Sequence, residues 1–351
     1  MTEGAPARRR RLGPRSTLAL RIVVSGALLA LVASKAKGVD DAIPDQHPGL
    51  TITLLAAAVL TALIGVGLSA WRWQRVLLLF DIRIRIPTLF SHYVVGLLVG
   101  NVLPSTIGGD VVRVARASNT VGSSEVSFGS VVLERLTGFV ALPLLVFAGF
   151  VLQPSLIDQT NAWIALVIAV ATLALLAVIL FLAGHPRLAA RLAEPAGWTS
   201  HLPAKISGVA ARISARVASF AGAVHRGVER MRREPRQIWP VLATAMIFQV
   251  SQIVMFGLIF RALDLPVPIA AIIAFCPAVL MLQVLPVSFS GLGVREGALV
   301  LFFHSFDVSN TQAVAAGLLW WGCMIAVSML GAPAFAVGHR SHPPTPAKEP
   351  V

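Results

Sequence analysis

Two stretches of this sequence carry the same chemical groups at the same spacing. NVLPSTIGGDVVR begins at Asn101 and QVLPVSFSGLGVR begins at Gln283. Aligned without a gap, they share Val-Leu-Pro, then Gly109 and Gly291, then Val112-Arg113 and Val294-Arg295. Pro104 and Pro286 each remove a backbone donor and stop a helix. Gly108, Gly109, Gly291 and Gly293 permit tight turns and close backbone approach. A helix restarting near Asp110 or Gly293 would aim its free N–H groups and positive dipole end at the turn, which is an anion site. Arg113 and Arg295 fall in the first turn of those helices and add a planar fork suited to phosphate. The amides of Asn101 and Gln283, which open the two motifs, suit the bridging of backbone groups left open where a helix breaks.

These residues must be held in place by an apolar chain. Of 351 residues, 56% are hydrophobic and 13% are charged, and the mean hydropathy is +0.79. Soluble domains average about 25% charged residues, so this is an integral membrane protein. Its net charge of +13 sits in loops between apolar runs, which reads as cytoplasmic loops and anionic headgroup contact rather than nucleic-acid binding. Cys276 and Cys323 lie inside apolar runs without metal-ligand spacing and read as small buried side chains. No metal or cofactor motif, P-loop, HExxH, GxSxG or nucleotide-binding glycine fingerprint occurs, and no covalent catalysis is expected.

Five apolar segments are clear, at 50–71, 126–152, 162–183, 238–262 and 312–338, with a weaker sixth at 18–34. Residues 1–17 read as a basic cytoplasmic N-terminus, 18–338 as the membrane domain and 339–351 as a disordered, Pro-rich tail. The run 18–34 lacks a small-residue cleavage site and reads as a retained span. Arg8–Arg11, Arg72, Arg75, Arg83, Arg85 and the basic loop 184–237 belong to the cytoplasm by the charge rule, while the acidic linkers 35–49 and 153–161 suit the outside. Both termini are then cytoplasmic, at the cell membrane. With those ends fixed, 88–120 must enter and leave on the cytoplasmic side, and 269–306 must do so from the other face. The expected architecture is all-α and polytopic: about six transmembrane helices plus two re-entrant hairpins related as an inverted repeat.

Glu134-Arg135 is a charged pair inside the span 126–152. Adjacent helical residues do not face each other, so each needs a partner elsewhere: Arg113 or Arg295 for Glu134, Glu296 or Asp110 for Arg135. His92 and Tyr93, Trp71 and Trp73, and Trp239 read as interfacial; Trp320 and Trp321 fall mid-span and read as packing. Residues 203–231 carry an apolar stripe flanked by Lys205, Arg212, Arg216, Arg226 and Arg230. Such a helix would lie on the cytoplasmic leaflet; the alternative is a cap packed on the bundle.

NVLPSTIGGDVVRV, LERLTGF and LPVSFSGLGVREGAL, in that order, resemble the lysylphosphatidylglycerol synthase transmembrane, flippase-like family. The resemblance spans about residues 18–338. It implies lipid translocation, with an anionic phospholipid or polyprenyl-phosphate headgroup held by Arg113, Arg135, Arg295, Glu134, Glu296 and Asp110. It implies no synthesis of lysyl lipid, because the soluble aminoacyl-transfer domain of fused members is missing. Two departures bear on headgroup preference. Gly138 stands where an acidic residue often follows Glu-Arg-Leu, and Phe289-Ser290-Gly291-Leu292-Gly293 replaces a frequent Pro-Gly-Gly-Leu-Gly. A second role, as a non-transporting partner of a lipid-linked glycosyltransferase, and a homo-oligomeric state are also compatible with the sequence.

Overall fold

The structure, a computed structural model, describes residues 47–102, 108–185, 222–284, 291 and 293–337. The expected span 18–34, Pro104, Pro286 and the tail 339–351 lie outside these residues. Among the described residues every regular element is helical. In chain order they are α1 (Pro48–Leu78), α2 (Ile86–Val102), α3 (Gly108–Val121), α4 (Ser124–Leu152), α5 (Ala162–Gly184), α6 (Pro235–Ala262), α7 (Ile269–Leu282), α8 (Val294–Phe303), α9 (Asn310–Ser328) and α10 (Gly331–Val337). A further helical stretch covers 222–233.

Helices α1, α4, α5, α6 and α9 are long and apolar enough to cross a bilayer. Helix α5 shows the reason most plainly. It is apolar all round, buries Ala162, Ala165, Ala169 and Leu176 against its neighbours, and turns Trp163, Val167 and Val170 outward. A helix with no polar face belongs in lipid.

The α2–α3 and α7–α8 pairs are hairpins. In the first, His92 meets Thr120, Gly96 meets Gly109 and Arg113, and Gly100 meets Gly109, so the two helices run antiparallel. In the second, Gln283 meets Gly291 while Phe275 stacks on Phe302 at 5.3 Å. Helices of 17, 14, 14 and 10 residues reach only about 26, 21, 21 and 15 Å at 1.5 Å per residue, short of the roughly 30 Å hydrocarbon core. None can cross alone, in keeping with re-entrant hairpins.

The repeat extends beyond the motifs that first revealed it. After α1, Asp81 adopts φ 59° and Ile82 N–H donates back to the Leu77 carbonyl at 3.1 Å. After α6, Asp264 adopts φ 52° and Leu265 N–H donates to the Phe260 carbonyl at 2.9 Å. Both joints are left-handed helix stops closed by a bond back into the last turn, and Asp is among the few residues that tolerate this backbone. Before α4, Gly122 has φ 80° and the Ser123 hydroxyl caps the Val126 N–H; before α9, Asp307 has φ 58° and the Ser309 hydroxyl caps the Gln312 N–H. Each half is therefore span, left-handed stop, hairpin, left-handed turn, Ser-capped span.

The halves run in opposite directions. Gly65 of α1 lies under Ser251 and Phe248 of α6, Arg72 lies over Phe248, and Val76 shares an apolar cluster with Val241, so α1 and α6 pack antiparallel. Across the same interface α4 packs on α7, with Phe150 edge-on to Phe275.

Two expectations are corrected. Helix α1 runs to Leu78, so Arg72 and Trp73 are buried inside the bundle rather than set in a cytoplasmic loop or at an interface. The segment 312–338 is two helices, α9 and α10, and α10 turns to pack on α2. The described end of the basic amphipathic segment, residues 222–231, packs on the bundle. Ala223 packs against Gly129, Val228 is buried, and Arg230 donates to the Leu79 carbonyl at 2.6 Å.

Candidate functional site

The first hairpin brings its glycines into contact before it presents its charge. A Cβ on Gly109 would stand 2.5 Å from the Gly96 carbonyl oxygen, and one on Gly96 would stand 2.9 Å from the Gly109 carbonyl oxygen. Only glycine allows α3 to lie this close to α2. That approach sets Arg113, one turn along α3, against Trp73 and Tyr93, with its guanidinium carbon 4.4 and 4.7 Å from the two ring centres.

Glu134 is the hub. Its Oε2 accepts from Arg113 Nη2 at 2.8 Å, and its Oε1 accepts from Arg72 Nε at 2.9 Å and from Arg72 Nη2. All three side chains are at most 4% exposed. One carboxylate between two guanidiniums ties α1, α3 and α4 together and leaves a net positive charge. Arg72 Nη1 and Arg113 Nε keep no hydrogen-bond partner. Arg135, on the next position of α4, points elsewhere and pairs through Nε with Asp110, whose other oxygen lies 4.0 Å from Arg113.

Of the partners expected from sequence, Arg113 for Glu134 and Asp110 for Arg135 are the ones formed. Asn101, Gly109, Asp110, Arg113, Arg135 and Gln283 then line one cavity of about 210 Å³, closed on its far side by Trp320 and Trp321. Glu134 and Arg135 also line an adjoining cavity of about 160 Å³. Gly108 begins α3 next to this site.

Arg295 and Glu296 do not line either cavity. Arg295 is fully buried, its guanidinium 4.9 Å from the Trp320 ring centre and donating to Glu296 Oε1 at 2.5 Å. The second Glu296 oxygen accepts the Gly293 N–H at 2.6 Å. The helix start and arginine that were expected to hold an external anion are thus engaged by the chain's own carboxylate. Gly291 and Gly293 supply the backbone for this, with φ 78° and 86°.

A family model described as the lysylphosphatidylglycerol synthase TM region matches residues 18–331, most of the chain. The chain belongs to that family. Comparison with the curated proteins found no match. Membership together with the five apolar helices makes this a multi-pass membrane protein, and what it shares with such synthases is their membrane region.

In this family member several site residues escape a reading by motif. Arg72 sits at the end of an apolar run beside Arg75, where it looks like any loop arginine. Gln249 and Gln252 line the second cavity from α6, and the Gln249 side-chain NH2 donates to the Gly138 carbonyl at 3.1 Å. Two amides three residues apart in an apolar span were the available signal. Gly138 leaves room for Arg72, because a Cβ there would meet Arg72 Nη1 at 3.3 Å. His92 is buried in the hairpin, within reach of Thr120 at 3.2 Å, and Tyr93 forms cavity wall. Trp320, Trp321, Cys276 and Cys323 are buried as expected. Among the described residues no His, Cys, Asp and Glu cluster could hold a metal ion.

Proposed function

We propose that this protein moves an anionic lipid headgroup across the cell membrane through the cavity beside the first hairpin, its acyl chains staying in the bilayer. The observation that carries the reading is the convergence of Arg113 and Arg135 on one cavity set among apolar helices. A charge in such surroundings is expensive and marks a path for substrate or ions. Arg113 is held by Glu134 and two aromatic faces, so it meets a phosphate already oriented. Arg135 is about two-fifths exposed and, paired with Asp110 through Nε, keeps further N–H groups for an incoming anion. Two oppositely directed halves supply access from either leaflet. Nothing in this movement makes or breaks a covalent bond. Membership of a flippase-like membrane family supports the reading.

Reconstituted vesicles carrying a fluorescent anionic phospholipid test it. Leaflet exchange should exceed that of protein-free vesicles and fall to their level in Arg113→Ala with Arg135→Ala. Exchange equal in empty vesicles and in those holding the native protein would refute it.

A further inference from the structure

The two cavities share walls at Tyr93, Arg135, Gln283 and Val284 and so adjoin as two chambers. Their chemistry differs. The first holds Asp110, Arg113 and one amide of its own, Asn101; the second holds Arg72 and Glu134 with two amides of its own, Gln249 and Gln252; Arg135 and Gln283 line both. Three guanidiniums against two carboxylates leave a single positive charge, which one monoanion neutralises. Both carboxylates are already committed, Glu134 to Arg72 and Arg113, and Asp110 to Arg135. An ammonium group entering the space would have to strip an arginine from its partner.

The atoms left without partners point the same way. Arg72 Nη1, Arg113 Nε and the indole N–H groups of Trp320 and Trp321 are buried donors with nothing to bond, and Gln283 Oε1 is a buried acceptor in the same state. Arg72, Arg113, Trp320 and Trp321 are all more than nine-tenths buried. A buried polar group left open costs about 1–3 kcal/mol; Nε and Nη1 of Arg295 are in the same state away from both cavities, so it is the grouping of the others on cavity-lining residues that fits a ligand. Donors outnumber acceptors, which suits a ligand rich in oxygen. Hydroxyls both give and take hydrogen bonds and satisfy amides on either side; an ammonium only gives, and it finds one open acceptor.

Taking the preceding reading that this space receives a lipid headgroup, we propose that the headgroup is a monoanionic phosphodiester of a neutral polyol or sugar. The phosphate sits in the first chamber against Arg113 and Arg135. The hydroxyls enter the second chamber, against Gln249, Gln252 and Gln283.

The full-length protein in phosphatidylcholine nanodiscs, titrated with phosphatidylinositol, phosphatidylethanolamine or phosphatidic acid and read by native mass spectrometry, tests this. Phosphatidylinositol should bind at least about tenfold more tightly than phosphatidylethanolamine, the worth of one or two hydrogen bonds. Gln283→Leu should weaken phosphatidylinositol by about tenfold and leave phosphatidic acid, which has phosphate but no polyol, within about twofold. Gln252→Leu, on another helix, should act in the same direction and guards against a misfolded Gln283 variant. Equal binding of phosphatidylethanolamine, or equal weakening of phosphatidylinositol and phosphatidic acid in both variants, would overturn the assignment. Displacement by soluble glycerophosphoinositol at the same concentration would overturn its lipid part. Selective binding without leaflet exchange would remove the transport reading and keep the headgroup assignment; exchange without selectivity would do the reverse.

Discussion

The two hairpins share one plan and use it differently. In the first, the arginine faces a cavity: Arg113 is anchored by a glutamate from another helix, Glu134, and its neighbours Asp110 and Arg135 form the wall. In the second, the arginine is sealed: Arg295 is anchored by the adjacent Glu296, covered by Trp320, and fully buried. Glu296 also closes the start of its own helix at Gly293, filling with an internal carboxylate the place an external anion would take. A repeated motif therefore fixes backbone geometry in both halves, but the residues that meet the motif from other helices decide which copy's arginine faces a cavity.

Breaking the hub should separate the copies most. Glu134→Gln leaves Arg72 and Arg113 buried without their shared anion, and removing one partner of a buried pair costs about 3–5 kcal/mol. Scanning fluorimetry in detergent should show this as a large fall in thermal midpoint, larger than that of Glu296→Gln, which deprives one arginine. A fall no larger than that of Glu296→Gln would mean that the hub does not organise the first half.

Next come the glycines. Gly109→Ala drives a methyl into the Gly96 carbonyl and should cost about 1–3 kcal/mol by overpacking. Gly291→Ala forces a left-handed alanine and should cost about 1–2 kcal/mol. The first should slow lipid exchange more, because Gly109 positions a cavity arginine whereas Gly291 abuts the Gln283 amide; equal effects of both on exchange would erase the functional difference between hairpins.

The left-handed stops give the smallest and most specific contrast. Asp264→Gly should be neutral or stabilising by up to about 1 kcal/mol, since glycine adopts that backbone freely. Asp81→Gly loses its 2.6 Å pair with Arg230 of the helical stretch 222–233, an exposed contact worth about 0.2–1 kcal/mol, and should gain less. The difference between the two variants, read from thermal midpoints at low and high salt, should shrink as salt rises.

Much of this plan is legible in the sequence. The hydropathy and the charge rule indicate spans and hairpins, and the Pro, Gly and Arg register indicates the repeat. The ion-pair choices of Glu134 and Arg135 were each within the alternatives that the charges allowed. What is not legible depends on contacts between distant residues. Arg72 reaches Glu134 across 62 positions, and nothing local to it differs from a loop arginine. Trp73 looks like an interface anchor until Ser130 accepts its N–H at 2.9 Å inside the bundle. The burial of Arg295 follows from Trp320 on α9, whose sequence gives no hint of what it covers. Asp81 and Asp264 were visible as residues, yet their role needs the backbone: neither lies in an apolar motif, and a left-handed stop has no strong signature when Asp takes the place of Gly.

Cysteine accessibility tests the contrast most directly. With Cys276 and Cys323 replaced by Ala, Leu97→Cys places a thiol in the wall of the first cavity, and Leu299→Cys places one beside the sealed Arg295. A charged thiol reagent should modify Leu97→Cys rapidly and Leu299→Cys slowly, and an anionic phospholipid in the nanodisc should protect only the former. Equal rates, or protection at Leu299→Cys but not at Leu97→Cys, would contradict a headgroup site built on the first hairpin.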